Sequence, residues 1–213
     1  MRRNVCFVVG AGENYGLDVV PHKGDMTIAA DAGLRYLEQK EIAADLVIGD
    51  FDSLRFKPQH KNVIELNPEK DITDMRAAVH EGIKAGYDLF YIYCGMGGRI
   101  DHTIANIQLL SELSKSGKQG FLVGRDNIIT AITDRSLSFL SGISGFISVF
   151  SYSELSKGVC LDGLKYELDN AELTNDFPLG VSNEFTGKES KIRVKKGTLL
   201  IVFPKEAKEM VKL

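Results

Sequence analysis

Short apolar runs alternate with amphipathic segments over roughly the first 125 residues. The apolar runs predict buried strands at residues 5–9, 26–30, 45–48, 62–66, 88–94 and 121–124. Between them, apolar side chains recur at helical spacing within residues 34–40, 72–86 and 102–117. Strands that alternate with helices in this way predict a Rossmann-like α/β domain with a parallel sheet covered on both faces.

The pattern changes near residue 125. From there on, β-rich runs are separated by Gly, Asp, Asn and Ser, at residues 127–133, 137–140, 145–152, 158–168 and 191–203. Helical periodicity returns only in the last residues, KEAKEMVKL. We therefore expect two domains, an α/β domain over residues 1–125 and an all-β sandwich or barrel-like domain over residues 126–213.

Composition excludes several classes of partner. The net charge of −3 gives no electrostatic reason to bind nucleic acid or an anionic membrane through bulk charge. No stretch approaches the length of a membrane span, and the apolar run after the first arginines is too short for a signal peptide. Three scattered cysteines form neither a metal pattern nor a complete disulfide framework, so we expect buried thiols in a cytoplasmic protein.

Acidic residues gather where the predicted parallel strands end. They are Asp31, Asp50, Asp52 (with Ser53 beside it), Asp71, Asp74 and Asp101. The carboxyl ends of parallel strands share one edge, so these carboxylates would repel one another unless cations bridged them. Taken singly, they have simpler explanations. Asp71 and Asp101 suit helix N-caps, Asp74 suits a first helical turn, and Asp50 with Asp52 suits a solvated turn.

The loop CGMGGRIDH, residues 94–102, supplies groups suited to phosphate. Gly97 and Gly98 let backbone N–H groups approach a phosphate next to a helix N-terminus, and Arg99 has a planar fork for phosphate oxygens. His102 is expected to shape this loop rather than bind zinc. The alternative is a tight connection from strand to helix. Carboxylates together with phosphate donors suit Mg²⁺.

A second glycine-rich turn, VVGAGENYG, follows the first predicted strand. With Asp31 further on, it is similar to a dinucleotide-binding turn. However, Gly10, Gly12 and Gly16 miss the required spacing by one residue, and the next residues show no helical stripe. A nicotinamide-type site is therefore disfavoured.

In combination, the motifs are similar to those of the thiamine pyrophosphokinase family of the bacterial type. They are AADAG (29–33), ADLVIGDFDSL (44–54), NPEKDITDMRAAV (67–79), GMGGRIDHTIANIQLL (95–110) and GVSNEF (180–185). The resemblance spans nearly the whole chain, and the order of G-D-F-D-S, D-x-T-D and G-G-R-x-D-H is highly specific.

The resemblance implies a magnesium-dependent transfer of pyrophosphate from ATP to thiamine by a homodimer with thiamine sites at the subunit interface. It places Asp50, Asp52, Asp71 and Asp74 around Mg²⁺, with Arg99 and Asp101 as further catalytic residues. It implies that ATP is bound with help from Asp31, Ser53, Lys70, Thr73, Gly97, Gly98 and His102. Ser182 and Asn183 match residues that approach thiamine, and Phe185 is one candidate for stacking on its rings, since the chain has no tryptophan.

Two other functions stay open from the sequence. One is pyrophosphoryl transfer to another hydroxymethyl heterocycle, such as a pterin. The other is an ATP–Mg²⁺ sensor without catalysis, although the acid set and Arg99 argue against it.

Overall fold

The computed structural model describes residues 2–51, 58–67, 69 and 71–212. The chain divides into two compact units. The first unit holds the chain up to Leu109 together with Gly120–Gly124, and the second holds Leu110–Gln119 and the chain from Arg125 onward.

The described residues of the first unit form six strands and three helices. The strands are β1 Cys6–Val9, β2 Met26–Ala30, β3 Leu46–Gly49, β4 Val63–Glu65, β5 Leu89–Tyr93 and β6 Gln119–Val123. The helices are α1 Gly33–Gln39, α2 Asp74–Lys84 and α3 Ile100–Lys115, the last of which continues into the second unit. The strand order is β6-β5-β1-β2-β3-β4, and β5, β1, β2, β3 and β4 pair in parallel. The expected α/β arrangement is therefore confirmed.

The apolar runs explain the core of the first unit. All four residues of β1 and four of the five in β2 are buried, as expected for parallel strands covered by helices. Helix α2 packs on β1, β2 and β3 and buries Met75 and Val79, two residues of its predicted stripe. Among the described residues, no helix is long and apolar enough to span a membrane.

The beginning of α1 lies unusually close to the end of β1. A Cβ atom on Gly33 would stand 2.7 Å from the carbonyl carbon of Val9 and 2.8 Å from the carbonyl oxygen of Gly10. It would be closer still to the carbonyl oxygen of Val9. Real Cβ atoms do not approach backbone this closely, so only glycine fits. Ala32 before it has ordinary helical φ and ψ, which an alanine adopts without strain.

The second unit is dominated by antiparallel strands. They are β7 Asn127–Thr133, β8 Ser136–Phe139, β9 Phe146–Ser151, β10 Leu155–Asp162, β11 Leu168–Thr174, β12 Gly180–Glu184, β13 Ser190–Arg193, β14 Thr198–Pro204 and β15 Val211–Lys212. Two orders result, β12-β9-β14-β7 and β11-β10-β13-β8-β15. The prediction of a β-rich second part is confirmed.

The helical pattern at the end of the chain does not form an α-helix. Residues Lys205–Met210 form a short 3-10 helix, and Val211–Lys212 then pair with β8. Tertiary pairing of Val211 with Phe139 overrides the local helical pattern.

The three cysteines are free and buried, as expected. Cys6 lies in β1, where burial raises the pKa of its thiol to about 12. A thiol of this kind stays protonated at physiological pH and behaves as a small hydrophobic side chain.

Candidate active site

The carboxyl ends of β1, β2, β3 and β5 meet at one edge of the sheet, because these strands are parallel. A cavity of about 500 Å³ opens at this edge. Seven residues that the resemblance assigns to catalysis or nucleotide binding line it: Asp31, Thr73, Asp74, Gly97, Gly98, Arg99 and His102. The structure therefore brings acids from separate stretches together with the glycine-rich loop.

Asp31 is the buried acid of this cavity. It follows β2 directly, takes a left-handed backbone conformation (φ 51°), and donates its backbone N–H to the carbonyl oxygen of Ile48 at 2.8 Å. Its residue exposure is only 8%, and its Oδ1 atom has no hydrogen-bond partner in the described part of the chain. A buried carboxylate oxygen in this state requires a cation or a donor, because burying an unpaired charge is costly.

The beginning of α2 brings a second acid to the cavity. The N-cap is Thr73, whose Oγ1 accepts a hydrogen bond from the backbone N–H of Arg76 at 3.2 Å. Asp74 lies in the first turn, as predicted, where the helix dipole favours negative charge. Asp71 is exposed and precedes the helix, so the alternative that Asp71 caps it is wrong. Threonine fills the position with a shorter side chain in an extended backbone conformation.

The glycine-rich loop after β5 is held in place by a buried amide. Asn106 on α3 donates from Nδ2 to the carbonyl oxygen of Gly95 at 2.7 Å. Cys94, Gly97 and Gly98 have φ values of 52°, 84° and 61°, so the loop turns through three left-handed residues. This conformation explains the two glycines at 97 and 98, because L side chains rarely adopt it.

Arg99 and Asp101 form an exposed ion pair. The Nη2 and Nε atoms of Arg99 donate to the two carboxylate oxygens of Asp101 at 2.6 and 3.2 Å. The hydrogen bonds from Arg99 hold the pKa of Asp101 below its ordinary value, and those to Asp101 raise the pKa of Arg99. Asp101 is the second residue of α3, so the alternative that it is the N-cap is also wrong; it pairs with Arg99.

We expect Arg99→Ala to raise the pKa of Asp101 back towards its ordinary value, because the hydrogen bonds that favour the carboxylate are removed. In the unaltered chain, the ion pair between Arg99 and Asp101 should persist until the pH falls through the lowered pKa of Asp101. A carbon-13 NMR titration of the carboxyl group measures this. Arg3→Ala, which breaks a separate surface pair with Asp88 at 3.0 Å, should leave the pKa of Asp101 unchanged. If the pKa of Asp101 is the same in Arg99→Ala, the hydrogen bonds from Arg99 are not what lowers it.

The lining of the cavity does not account for every predicted site residue. Asp50, Asp71 and Asp101 are not in the lining of the cavity, although Asp50 follows β3 at the same edge. Asp52, Ser53 and Lys70 lie outside the described residues. Within residues 2–51, 58–67, 69 and 71–212, no group of three or more His, Cys, Asp or Glu side chains could hold a metal ion. The predicted magnesium ligand set of four aspartates therefore stays a prediction.

The glycine-rich turn after β1 belongs to the same cavity. Gly10, Gly12 and Glu13 line it, and the hydroxyl of Tyr36 donates to the carbonyl oxygen of Gly12 at 3.1 Å. No helix follows this turn before α1, in agreement with the rejection of a dinucleotide fingerprint. Glu13, Tyr36 and Asn106 were missed as site residues. The spacing of the glycines indicated that the turn after β1 could bind a ligand. Nothing in the local sequence indicated that this turn would lie beside the loop after β5.

The second unit contains the predicted thiamine residues on β12. Ser182 is exposed and left-handed (φ 55°). Asn183 is buried, and its amide group bonds both backbone groups of Tyr166: Nδ2 donates to the carbonyl oxygen at 2.7 Å, and Oδ1 accepts from the N–H at 2.9 Å. The simpler explanation of Ser-Asn as a hairpin turn is wrong, since both residues lie in a strand.

Phe185 is a core residue and is unavailable for stacking on a ligand. It is only 6% exposed and packs edge-on against Phe139, with ring centroids 5.1 Å apart. Tyr166 is instead 59% exposed and is held by Asn183. The ring of Tyr166 is therefore one exposed aromatic group near the Ser-Asn pair, and that of Phe146 on β9 is another.

Comparison with known proteins gives one consistent family. The model described as "Thiamin pyrophosphokinase, catalytic domain" matches residues 19–122, and "Thiamin pyrophosphokinase, vitamin B1 binding domain" matches residues 140–199. The thiamine pyrophosphokinase of Bacillus subtilis (strain 168) is 27% identical over 210 residues, covering 94% of this chain and 98% of that protein.

Solved structures agree with these matches. The crystal structure of thiamine pyrophosphokinase from Bacillus subtilis has a TM-score of 0.82 at 25% identity, covering 94% of this chain and 99% of the other. Thiamin pyrophosphokinase from Candida albicans has a TM-score of 0.77 at 15% identity, covering 95% and 89%. At that identity, the second likeness concerns the fold alone.

Proposed function

Since the chain belongs to the thiamin pyrophosphokinase family, we propose that it transfers the β,γ-pyrophosphoryl group of ATP to the hydroxyl of thiamine. The products are thiamine diphosphate and AMP. The observation that carries the proposal is the single cavity in which Asp31 and Asp74 lie with the glycine-rich loop and Arg99. We assign ATP to a Rossmann-like domain over residues 1–125 and thiamine to a β-sandwich domain over residues 126–213, in a cytoplasmic enzyme.

The glycine-rich loop is suited to hold the triphosphate. Its left-handed glycines at 97 and 98 have no side chains of their own to keep phosphate oxygens from the backbone N–H groups. Arg99 adds a guanidinium whose planar fork matches two phosphate oxygens. Thr73 and His102 line the same cavity and are assigned to the nucleotide. Ser53 and Lys70 complete this set as predictions from the sequence.

The acids of the cavity fit a bound magnesium ion. The Oδ1 atom of Asp31 is a buried hard oxygen without a hydrogen-bond partner among the described residues, and Asp74 lies in the same lining. Mg²⁺ is commonly held by one or two carboxylates together with water and substrate phosphates, so a larger group of protein ligands is not required. We assign Asp50, Asp52 and Asp71 to complete the metal environment at this edge.

The reaction asks mainly for positioning and charge neutralisation. The thiamine hydroxyl oxygen forms a bond to the β-phosphorus, the bond to the α-phosphate oxygen breaks, and AMP departs with that electron pair. Arg99 stabilises charge on the transferring group, and Asp101 orients Arg99 through its two hydrogen bonds. A carboxylate at the sheet edge accepts the hydroxyl proton. Bound Mg²⁺ supplies neutralisation of the triphosphate charge.

We assign thiamine recognition to Ser182, Asn183 and Tyr166. Ser182 is exposed and able to contact the substrate, whereas the buried amide of Asn183 acts by fixing the backbone of Tyr166. The ammonium group of Lys165 lies over the exposed ring of Tyr166, 5.4 Å from its centroid, so the opposite face is the one offered to a cationic heterocycle.

A homodimer is proposed for this chain. It is supported by large exposed apolar side chains near β12, which a partner would cover: Phe146, Phe177, Leu179 and Val181. The thiamine sites are assigned to the subunit interface.

The test is AMP formation from ATP and Mg²⁺, with thiamine or a hydroxymethylpterin as acceptor. We expect AMP to accumulate in step with thiamine diphosphate and to require thiamine. Equal turnover on the pterin would favour the alternative heterocycle. Binding of ATP without AMP formation on either acceptor would favour a sensor and overturn the proposal.

A further inference from the structure

The turn after β1 runs along the glycine-rich loop. The backbone N–H of Gly12 donates to the carbonyl oxygen of Cys94 at 2.8 Å. The backbone N–H of Glu13 donates to the carbonyl oxygen of Met96 at 3.2 Å. These bonds fix the backbone of Glu13 beside the loop. Its carboxylate oxygen Oε1 then accepts the backbone N–H of Gly98 at 2.9 Å, across 85 residues of sequence.

The carboxyl group of Glu13 lies directly over the loop. A Cβ atom placed on Gly97 would stand 2.7 Å from Cδ of Glu13. Glu13, Gly97 and Gly98 all line the cavity assigned to the nucleotide. The internal carboxylate therefore occupies the face of the loop that a phosphate would approach.

Glu13 and a phosphate compete for one donor. The Gly98 N–H makes one strong hydrogen bond, and a charged acceptor strengthens such a bond about twofold over a neutral acceptor. A carboxylate left beside a triphosphate would also repel it. Glu13 is exposed, so its side chain is able to leave the loop for solvent.

We propose that Glu13 is an internal competitor of the nucleotide: it holds the Gly98 N–H in the free protein and releases it when the triphosphate chain binds. The inference rests on the proposed function, because it takes the cavity as the ATP site. Glu13 then sets the apparent affinity for ATP, since only the fraction of molecules with a released loop is ready to bind. It is not required for the chemical step.

The test is the affinity for α,β-methylene ATP with Mg²⁺, measured by calorimetry without thiamine. Glu13→Gln keeps an acceptor oxygen but removes the charge, so we expect Kd to fall about threefold to tenfold. Glu38→Gln, an equal charge change at an exposed position of α1, is the matched control and should leave Kd unchanged. The amide NMR resonance of Gly98 should shift in Glu13→Gln and, on nucleotide binding, in the unaltered protein.

The outcomes separate the two proposals. An unchanged or higher Kd in Glu13→Gln overturns the competition, because the carboxylate would then be neutral to the bound nucleotide or support it. The analogue could also fail to bind all three proteins, namely the unaltered chain, Glu13→Gln and Glu38→Gln. That result would overturn the assignment of the nucleotide site, and the proposed competition by Glu13 would fall with it. Under the proposal, KM for ATP in Glu13→Gln falls together with Kd.

Discussion

Asp31→Asn is expected to lower the turnover of thiamine by about a hundredfold or more while the chain stays folded. Asp31 is the buried acid of the cavity, and its Oδ1 atom has no hydrogen-bond partner in the described part of the protein. An amide in its place would remove the negative charge that attracts a cation and weaken the best-placed hard oxygen. The measurement is kcat for AMP formation at saturating ATP and Mg²⁺.

The substitution is chosen to leave the backbone undisturbed. Asparagine tolerates the left-handed conformation of position 31 about as well as aspartate does. Asp134→Asn is the matched control, since Asp134 is also left-handed (φ 54°) but belongs to the second unit and is not among the residues that line the cavity. Its turnover should equal that of the unaltered enzyme. Turnover of Asp31→Asn within about threefold of the unaltered enzyme would contradict the role assigned to Asp31.

Gly33→Ala is expected to lower the free energy of unfolding by about 1–3 kcal/mol or more, through overpacking against backbone. Helix propensity alone predicts the opposite sign, a gain of roughly 0.5–1 kcal/mol for alanine over glycine. The steric effect wins because the added Cβ would stand 2.7 Å from the carbonyl carbon of Val9, which no rotation of a side chain relieves. Urea-induced unfolding of the two proteins measures the difference.

A second glycine separates the steric effect from that of backbone conformation. Gly117 has a φ of 75°, and a Cβ there would meet no atom within 4 Å. Gly117→Ala should therefore lose only about 1 kcal/mol, from the left-handed conformation. If Gly33→Ala proved as stable as the unaltered chain, the close approach of α1 to β1 would have to be relaxed in solution.

The hydrophobic pattern predicted individual strands of both units well. Residues 26–30 were predicted as a strand and form β2 with the same bounds, and residues 127–133 likewise form β7. These runs are buried and bounded by polar or glycine residues, so the local pattern and the tertiary structure agree. Helix α2 begins three residues after Asp71, because Thr73 rather than an aspartate caps it.

Strand pairing in the second unit could not be predicted from local patterns. The run at residues 191–203 was treated as one β-rich segment, yet it forms β13 and β14 in two different strand orders. Gly197, with a φ of 115°, lies between them. Period-two alternation indicates that a segment is extended, but it does not identify the partner strand.

The convergence of acids and the glycine-rich loop was predictable, because parallel strands end at one edge. The roles of Glu13 and Asn106 were not. Glu13 accepts a hydrogen bond from the backbone N–H of Gly98, which lies 85 residues further along the chain. The amide of Asn106 donates to the carbonyl oxygen of Gly95, 11 residues earlier. Such contacts depend on the packed structure, and the residue types alone carry no signal of them.

Three residues with side chains have left-handed backbones where neighbouring strands end: Asp31, Phe51 and Cys94. Each costs about 1–2 kcal/mol relative to glycine in the same conformation. At Phe51 and Cys94, glycine would relieve that cost but remove a buried side chain, which destabilises more than it gains. At Asp31, glycine would relieve the backbone and remove the buried carboxylate of the cavity. Glycine at position 31 is therefore the replacement that would exchange a charged group of the cavity for an unstrained backbone, so the strain there accompanies the acid itself.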